Sequence, residues 1–221
     1  MQIKIIGSDW AFDGLNTSLF FRDDAGRGIL VDCGFSVFPE LTRLKLRGEV
    51  DVVLISHLHS DHTGSLCTLA VWARMFNKKA VKIWGEGVGE LFDVQGIFPE
   101  DFIPLPPDDP LVPEFIKTGH IPTKGHNNAL FIAGKILYSG DTNESLLDTD
   151  YARRAKIIFH EVVLRESASH VHFETLVAVP PEIKAKTWLI HISPHERAEI
   201  TRLAAEMGFA GVCTNGQEIE C

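Results

Sequence analysis

Several absences narrow what this chain can be. Its four cysteines, Cys33, Cys67, Cys213 and Cys221, form no CxxC pair and no regular framework. That excludes a thiolate zinc knuckle and a disulfide scaffold, and it reads as reduced thiols in a cytoplasmic protein. No apolar run approaches the length of a bilayer span. The opening Met1–Trp10 reads as a short strand with polar residues after it, not as a charged tip with an apolar stretch and cleavage site. Positive charge is also scarce. A net charge of −9 argues against a broad basic surface for duplex nucleic acid. It leaves room for a small anionic substrate, because divalent ions in a site outweigh the distant field of the protein at close range.

Linkers, internal repeats and low-complexity tracts are missing as well, so residues 1–221 are expected to form one domain. The apolar fraction of 45% is enough to fill a sizeable core, and 23% charged is ordinary for a soluble protein. Strand signals cover residues 2–6, 17–22 and 28–32, with turns at Asp13-Gly14 and Asp23–Gly26. Helical spacing follows at 39–46, a buried strand at 51–55, and a helix from Gly64 to about Phe76. A strand at 81–84 and a short helix near 87–93 come next. The stretch 99–113 holds six of the eleven prolines and is expected to be an extended surface loop, either closing over the site or forming a subunit contact. Strands near 114–118, 128–133, 136–139, 156–160 and 187–191 follow, the last before a helix at about 195–206. A meander that gives way to strand–helix alternation fits layered sheets with helices outside.

The chemistry concentrates in His57-Leu58-His59-Ser60-Asp61-His62, directly after the apolar run Val52–Ile55. A strand ending in three imidazoles and a carboxylate delivers several N and O donors to one small volume. Such donors suit Zn²⁺, Mn²⁺ or Fe²⁺. Three more polar residues sit just past apolar strands, where loops present functional groups: His120 after Ile116–Gly119, Asp141 in Ser139-Gly140-Asp141-Thr142, and His191 after Trp188–Ile190. Singly, each reads as an edge, turn or core residue. Together with the first cluster they supply further metal ligands.

These motifs resemble those of the metallo-β-lactamase superfamily over nearly the whole chain. The family's His-X-His-X-Asp-His stands here as His57, His59, Asp61 and His62, and its later ligands fall on His120, Asp141 and His191. An upstream aspartate after a strand appears as Asp32 in Leu30–Gly34 and is expected to act behind the ligands or in a turn. The resemblance implies an α/β fold, the αββα four-layer sandwich, and two divalent metal ions, Zn²⁺ first. One ion falls to His57, His59 and His120 and the other to Asp61, His62 and His191, with Asp141 shared and a hydroxide between them as nucleophile.

Three local features are similar to the tRNase Z branch: the opening Gly7-Ser8 with Asn16–Ser18, the Ser139–Thr142 motif, and Phe159-His160-Glu161 followed by Ser169-His170-Val171-His172. In that branch a His-Glu strand end orients a later histidine that protonates the leaving oxygen. His170, 21 positions before His191, matches better than His172, although the branch reads Gly-His-Ser-Thr there. Catalysis is thus expected from His170, Glu161 and the ligand Asp61. His126 and Asn127 are expected to line the substrate pocket with His172, the alternative being that His126 replaces His120 as ligand. His120 and Asp141 are only 21 positions apart, which leaves no room for the branch's tRNA-binding arm, and the chain is too short for an added β-CASP domain. The expectation is a cytoplasmic phosphodiesterase of small cyclic or nucleotide diesters that can form a homodimer. A lactone or thioester hydrolase with the same metal site is the alternative.

Overall fold

A computed structural model describes residues 1–97, 99–101, 103–121 and 127–221. The chain forms two compact units, Met1–Asp109 with Thr214–Cys221, and Pro110–Cys213.

The first unit carries strands β1 (Gln2–Gly7), β2 (Ser18–Arg22), β3 (Gly28–Val31), β4 (Val52–Leu54), β5 (Lys82–Trp84) and β6 (Ile103–Pro104). Its helices are α1 (Val37–Arg43), α2 (Ser60–Thr63), α3 (Leu66–Phe76) and α4 (Val88–Val94). The second unit carries β7 (Glu114–Lys117), β8 (Asn128–Ile132), β9 (Ile136–Tyr138), β10 (Ile157–Glu161), β11 (Thr187–Ile190) and β12 (Gly211–Val212). With these go α5 (Asp150–Arg154), α6 (Phe173–Val177), α7 (Pro181–Lys184) and α8 (Arg197–Met207). A last strand, β13 (Glu218–Glu220), returns to the first unit.

The first sheet runs β13-β1-β2-β3-β4-β5-β6. β1, β2 and β3 form the expected antiparallel meander, and β3 through β6 pair in parallel. Apolar residues of β3 and β4 are buried without alternation, as central parallel strands require. α3 presents Leu66, Leu69, Ala70 and Ala73 at i, i+3, i+4 and i+7, and these join Val37 and Leu41 of α1, Val88 and Phe92 of α4, and Leu30 and Val53 of the sheet in one core.

The second sheet runs β12-β11-β10-β9-β8-β7, antiparallel from β7 to β9 and parallel from β9 to β12. Phe131, Leu137, Ile158 and Leu189 pack with Ala152, Leu176, Ile183, Ile200 and Ala204 of the four helices. Thr149 caps α5, its hydroxyl accepting the Ala152 N–H at 3.2 Å. α8 stops at Gly208, whose φ of 80° suits the left-handed position that closes a helix.

One expectation needs correction. The proline-rich stretch is not wholly loop: Pro99–Asp101 is a 3₁₀ turn and β6 pairs with β5 at the sheet edge. Proline is tolerated there because an edge strand can dispense with a donor. Buried Leu105 and Leu111, and an Arg27–Asp109 ion pair at 2.7 Å, pin the remainder. β11 is followed by α8, and after that helix come β12 and β13, for which no strand was expected. Both are two or three residues long, too short for an alternation pattern to register. Among the described residues no helix is long and apolar enough to cross a membrane.

Candidate metal centre and proton donor

In both units the polar residues lie where parallel strands end. Parallel register aligns the carboxyl ends of neighbouring strands, so the loops leaving them collect on one edge. In the first unit these are Asp32 after β3 and His57 after β4. In the second they are Asp141 after β9, Glu161 ending β10, and His191 after β11.

The first unit's set is built around Asp32, which is fully buried. Its Oδ1 accepts the Ser56 N–H at 2.8 Å, and its Oδ2 accepts the Ser56 hydroxyl at 2.8 Å and His62 Nδ1–H at 2.7 Å. A hydroxyl has one proton. Because Ser56 gives it to Asp32, its oxygen accepts from His57 Nδ1, 3.1 Å away. One carboxylate thereby sets the tautomer of His62 directly and of His57 through Ser56, turning both Nε2 atoms into acceptors. The His57 and His62 ring centroids lie 4.1 Å apart, those of His57 and His59 4.6 Å apart, and His62 Nε2 is 3.3 Å from Asp61 Oδ2. The short α2 starts right after His59 and turns Asp61 and His62 inward. Asp32 holds a left-handed backbone, φ 58°, which aspartate tolerates better than most residues.

The second unit repeats the device. His120 Nδ1–H donates to the Ser169 carbonyl at 2.8 Å, and its Nε2 lies 3.4 Å from Asp141 Oδ2. His191 Nε2 lies 3.4 Å from Asp141 Oδ1. His191 shares the left-handed conformation, φ 60°, a strained choice of the kind found at functional positions. Glu161 is fully buried; its Oε2 accepts His170 Nδ1–H at 2.7 Å and its Oε1 accepts the Thr142 N–H. Donor atoms of Asp141, Glu161, His170 and His191 all lie within 4.8 Å of one another. Burial and the Asp141 charge push the Glu161 carboxyl well above the usual carboxylate range, with His170 pulling the other way.

The donor chemistry fits a divalent metal. In His57, His62 and His120 the Nδ1 is engaged by an oxygen, so Nε2 carries the lone pair that could meet a cation, and carboxylate oxygens of Asp61 and Asp141 lie 3.3 and 3.4 Å from the Nε2 atoms of His62 and His120. Imidazole nitrogen with carboxylate oxygen and no thiolate is a zinc, manganese or iron set.

Other expected residues are distributed differently. Asn127 gives its amide protons to Thr118 Oγ1, at 2.6 Å, and to the Asp141 carbonyl, so it braces the turn that carries Asp141. The ring of His172 caps α6: Nδ1 accepts the Glu174 N–H at 3.4 Å and Nε2–H donates to the Leu164 carbonyl. His126 lies outside the described residues. His160, next to Glu161, faces the opposite side of β10, where Nε2 accepts the Leu146 N–H at 3.1 Å and Nδ1–H donates to the Glu161 carbonyl at 2.8 Å. Sequence reasoning missed Ser56, Ser167, the Ser169 carbonyl and the Thr142 N–H. Only Ser56 had a local signal, as a small polar residue between an apolar strand and a histidine.

A family model described as Anti-Pycsar protein Apyc1 matches residues 1–88 and 86–219 of this chain. The Anti-Pycsar protein Apyc1 of Paenibacillus harenae is 29% identical over 220 residues, which cover 86% of this chain and 89% of that protein. Among solved structures, the metallo-β-lactamase fold protein YhfI from Bacillus subtilis gives a TM-score of 0.76 at 20% identity, covering 100% of this chain and 99% of that one. A diphosphatase of the PhnP family gives 0.72 at 16% identity, with 100% and 97% covered. The fold is therefore the α/β metallo-β-lactamase fold that the motifs led us to expect. With the family model spanning almost every residue, the chain belongs to the anti-Pycsar protein Apyc1 family.

Proposed function

We propose that the protein is a metal-dependent phosphodiesterase that opens a small cyclic nucleotide diester. The carrying observation is the buried Glu161 carboxylate bonded to His170 Nδ1 at 2.7 Å, beside Asp141 and His191. Expelling an alkoxide from phosphorus needs a proton donor, whereas a lactam or thioester hydrolase needs one less. The anti-Pycsar designation of the relatives agrees with degradation of a cyclic nucleotide.

In this reading residues 1–221 work as one domain. Its donors follow the family pattern: His57, His59 and His120 for one ion, Asp61, His62 and His191 for the other, and Asp141 shared. Such ions, Zn²⁺ before Mn²⁺ or Fe²⁺, supply an activated water at neutral pH and Lewis-acid stabilisation of charge on phosphoryl oxygen. Asp32 and Ser56 hold His62 and His57 in the ligating tautomer. Asp61 serves as ligand and, through its charge, in the catalytic set. Glu161 holds His170 with Nδ1 as donor, so that Nε2 delivers its proton to the departing ester oxygen and recovers one from solvent. In the same reading His126, Asn127 and His172 contact the substrate, Asn127 while its amide protons brace the Asp141 turn.

The test is turnover of bis(p-nitrophenyl) phosphate and of a 3′,5′-cyclic nucleotide by Zn²⁺- or Mn²⁺-loaded protein, with His170→Ala alongside. Nitrophenolate leaves without help and a ribose alkoxide does not. The variant is expected to lose about 100-fold or more on the cyclic diester and only a few-fold on the aryl ester. No cleavage of either diester by metal-loaded protein would move the assignment to lactones or thioesters.

A further inference from the structure

We infer that Ser167, with Asn143 as a second brace, is a positioning residue for the proton donor His170; this rests on the phosphodiesterase reading above. His170 sits on an irregular segment between β10 and α6, not on a regular element, so the glutamate bond alone must not be asked to place it. A ring bonded to Glu161 still swings if its backbone moves.

The segment is held by a local device. Ser167 Oγ accepts the backbone N–H of Ser169 at 3.2 Å and of His170 at 3.1 Å, closing the turn around its own hydroxyl. That turn aims the Ser169 carbonyl at His120 Nδ1, 2.8 Å away, so the same few residues place the proton donor and orient an imidazole of the metal set. The His120 and His170 ring centroids are 5.0 Å apart. Asn143 ties the segment to the neighbouring turns. Its Nδ2 donates to the Ala168 carbonyl at 3.1 Å and its backbone N–H to the Gly119 carbonyl at 2.8 Å. A Cβ at Gly119 would lie 2.3 Å from Asn143 Oδ1, so a side chain there would displace the Asn143 amide. Two neighbouring turns, at Gly119-His120 and at Asp141–Asn143, are thus braced against the segment that carries His170.

The mechanistic consequence is specific. If Ser167 acts by holding His170, its loss costs rate in proportion to the need for leaving-group protonation. A generally loosened site would slow every substrate alike.

Ser167→Ala is compared with Ser167→Thr and Ser167→Asn, which keep an acceptor oxygen for the two N–H groups. All are assayed at saturating Zn²⁺ on the cyclic nucleotide and on bis(p-nitrophenyl) phosphate, with His170→Ala as reference. Loss of two neutral hydrogen bonds predicts about a tenfold fall on the cyclic diester and at most about twofold on the aryl ester. Thr or Asn restores the difference. Asn143→Ala and Gly119→Ala, which remove or displace the second brace, shift the same ratio in the same direction. In metal-free protein the amides of Ser169 and His170 exchange faster in Ser167→Ala and near the wild-type rate in the acceptor-keeping variant. Equal losses on both substrates, no restoration by either Thr or Asn, or unchanged amide exchange each overturn the inference while His170→Ala keeps its leaving-group dependence. If His170→Ala itself shows no such dependence, the proton-donor reading falls and this inference with it.

Discussion

Asp32 shows how much of the site one residue off the metal can decide. It bonds to Ser56 N–H, Ser56 Oγ and His62 Nδ1 while fully buried, and through them it orients two of the four donors in the His57–His62 motif. Replacing it with alanine would leave three buried donors without their acceptor and let two imidazoles change tautomer. Asp32→Ala is expected to cost about 2 to 3 kcal/mol of stability in urea denaturation of the metal-free protein. It should also weaken Zn²⁺ binding about 10- to 100-fold in chelator competition. Unchanged metal affinity would show that the ligands orient themselves. The aspartate was visible in the sequence as a polar residue closing an apolar strand. Its partners were not, because Ser56 and His62 lie 24 and 30 positions away and meet it only through the β3–β4 register.

At the scale of elements, β10 carries two neighbouring polar residues with opposite tasks. Successive side chains on a strand point to opposite faces, so Glu161 turns to His170 while His160 enters the helix-covered core. Burial holds the His160 imidazole pKa at about 4, down from 6.5. Above pH 6.5 the ring is neutral in both folded and unfolded chains and contributes no pH dependence. Between about pH 6.5 and 4 the unfolded chain takes up a proton that the native ring refuses, so stability falls as pH falls; below 4 both states are protonated. Lowering the pH from 7 to 5 is expected to cost the metal-free protein about 2 kcal/mol more than it costs His160→Asn, measured by urea denaturation. Equal losses would mean that the native ring takes up the proton.

For the molecule as a whole, the donor sets predict that stability and activity depend on metal. A ligand that binds only the native state at 100 times its dissociation constant contributes about 2.7 kcal/mol. For a chain of 221 residues that corresponds to a thermal midpoint higher by about 5–10 °C. Chelation should abolish turnover and lower the midpoint by this amount, and Zn²⁺ should restore both. If residues 1–221 act as one domain, as proposed, calorimetry of the metal-loaded protein should show a single transition. Two separated transitions, matching the two compact units, would show that the units fold independently.

What the sequence determined by itself is a set of His and Asp donors suited to a metal, and the class of fold. Imidazoles and carboxylates placed just past apolar runs identify donors and the strands that carry them, because strand ends are where a buried scaffold meets functional groups. The short elements and the hydrogen-bond partners of the candidate residues were settled by tertiary structure. β12 and β13 exist through pairing with β11 and β1, and β6 through pairing with β5, since so few residues carry no period of their own. His170 and His172 are the same residue type two positions apart. Only the folded chain gives one to Glu161 and the other to the cap of α6, because a hydrogen bond depends on what distant backbone brings within 3 Å.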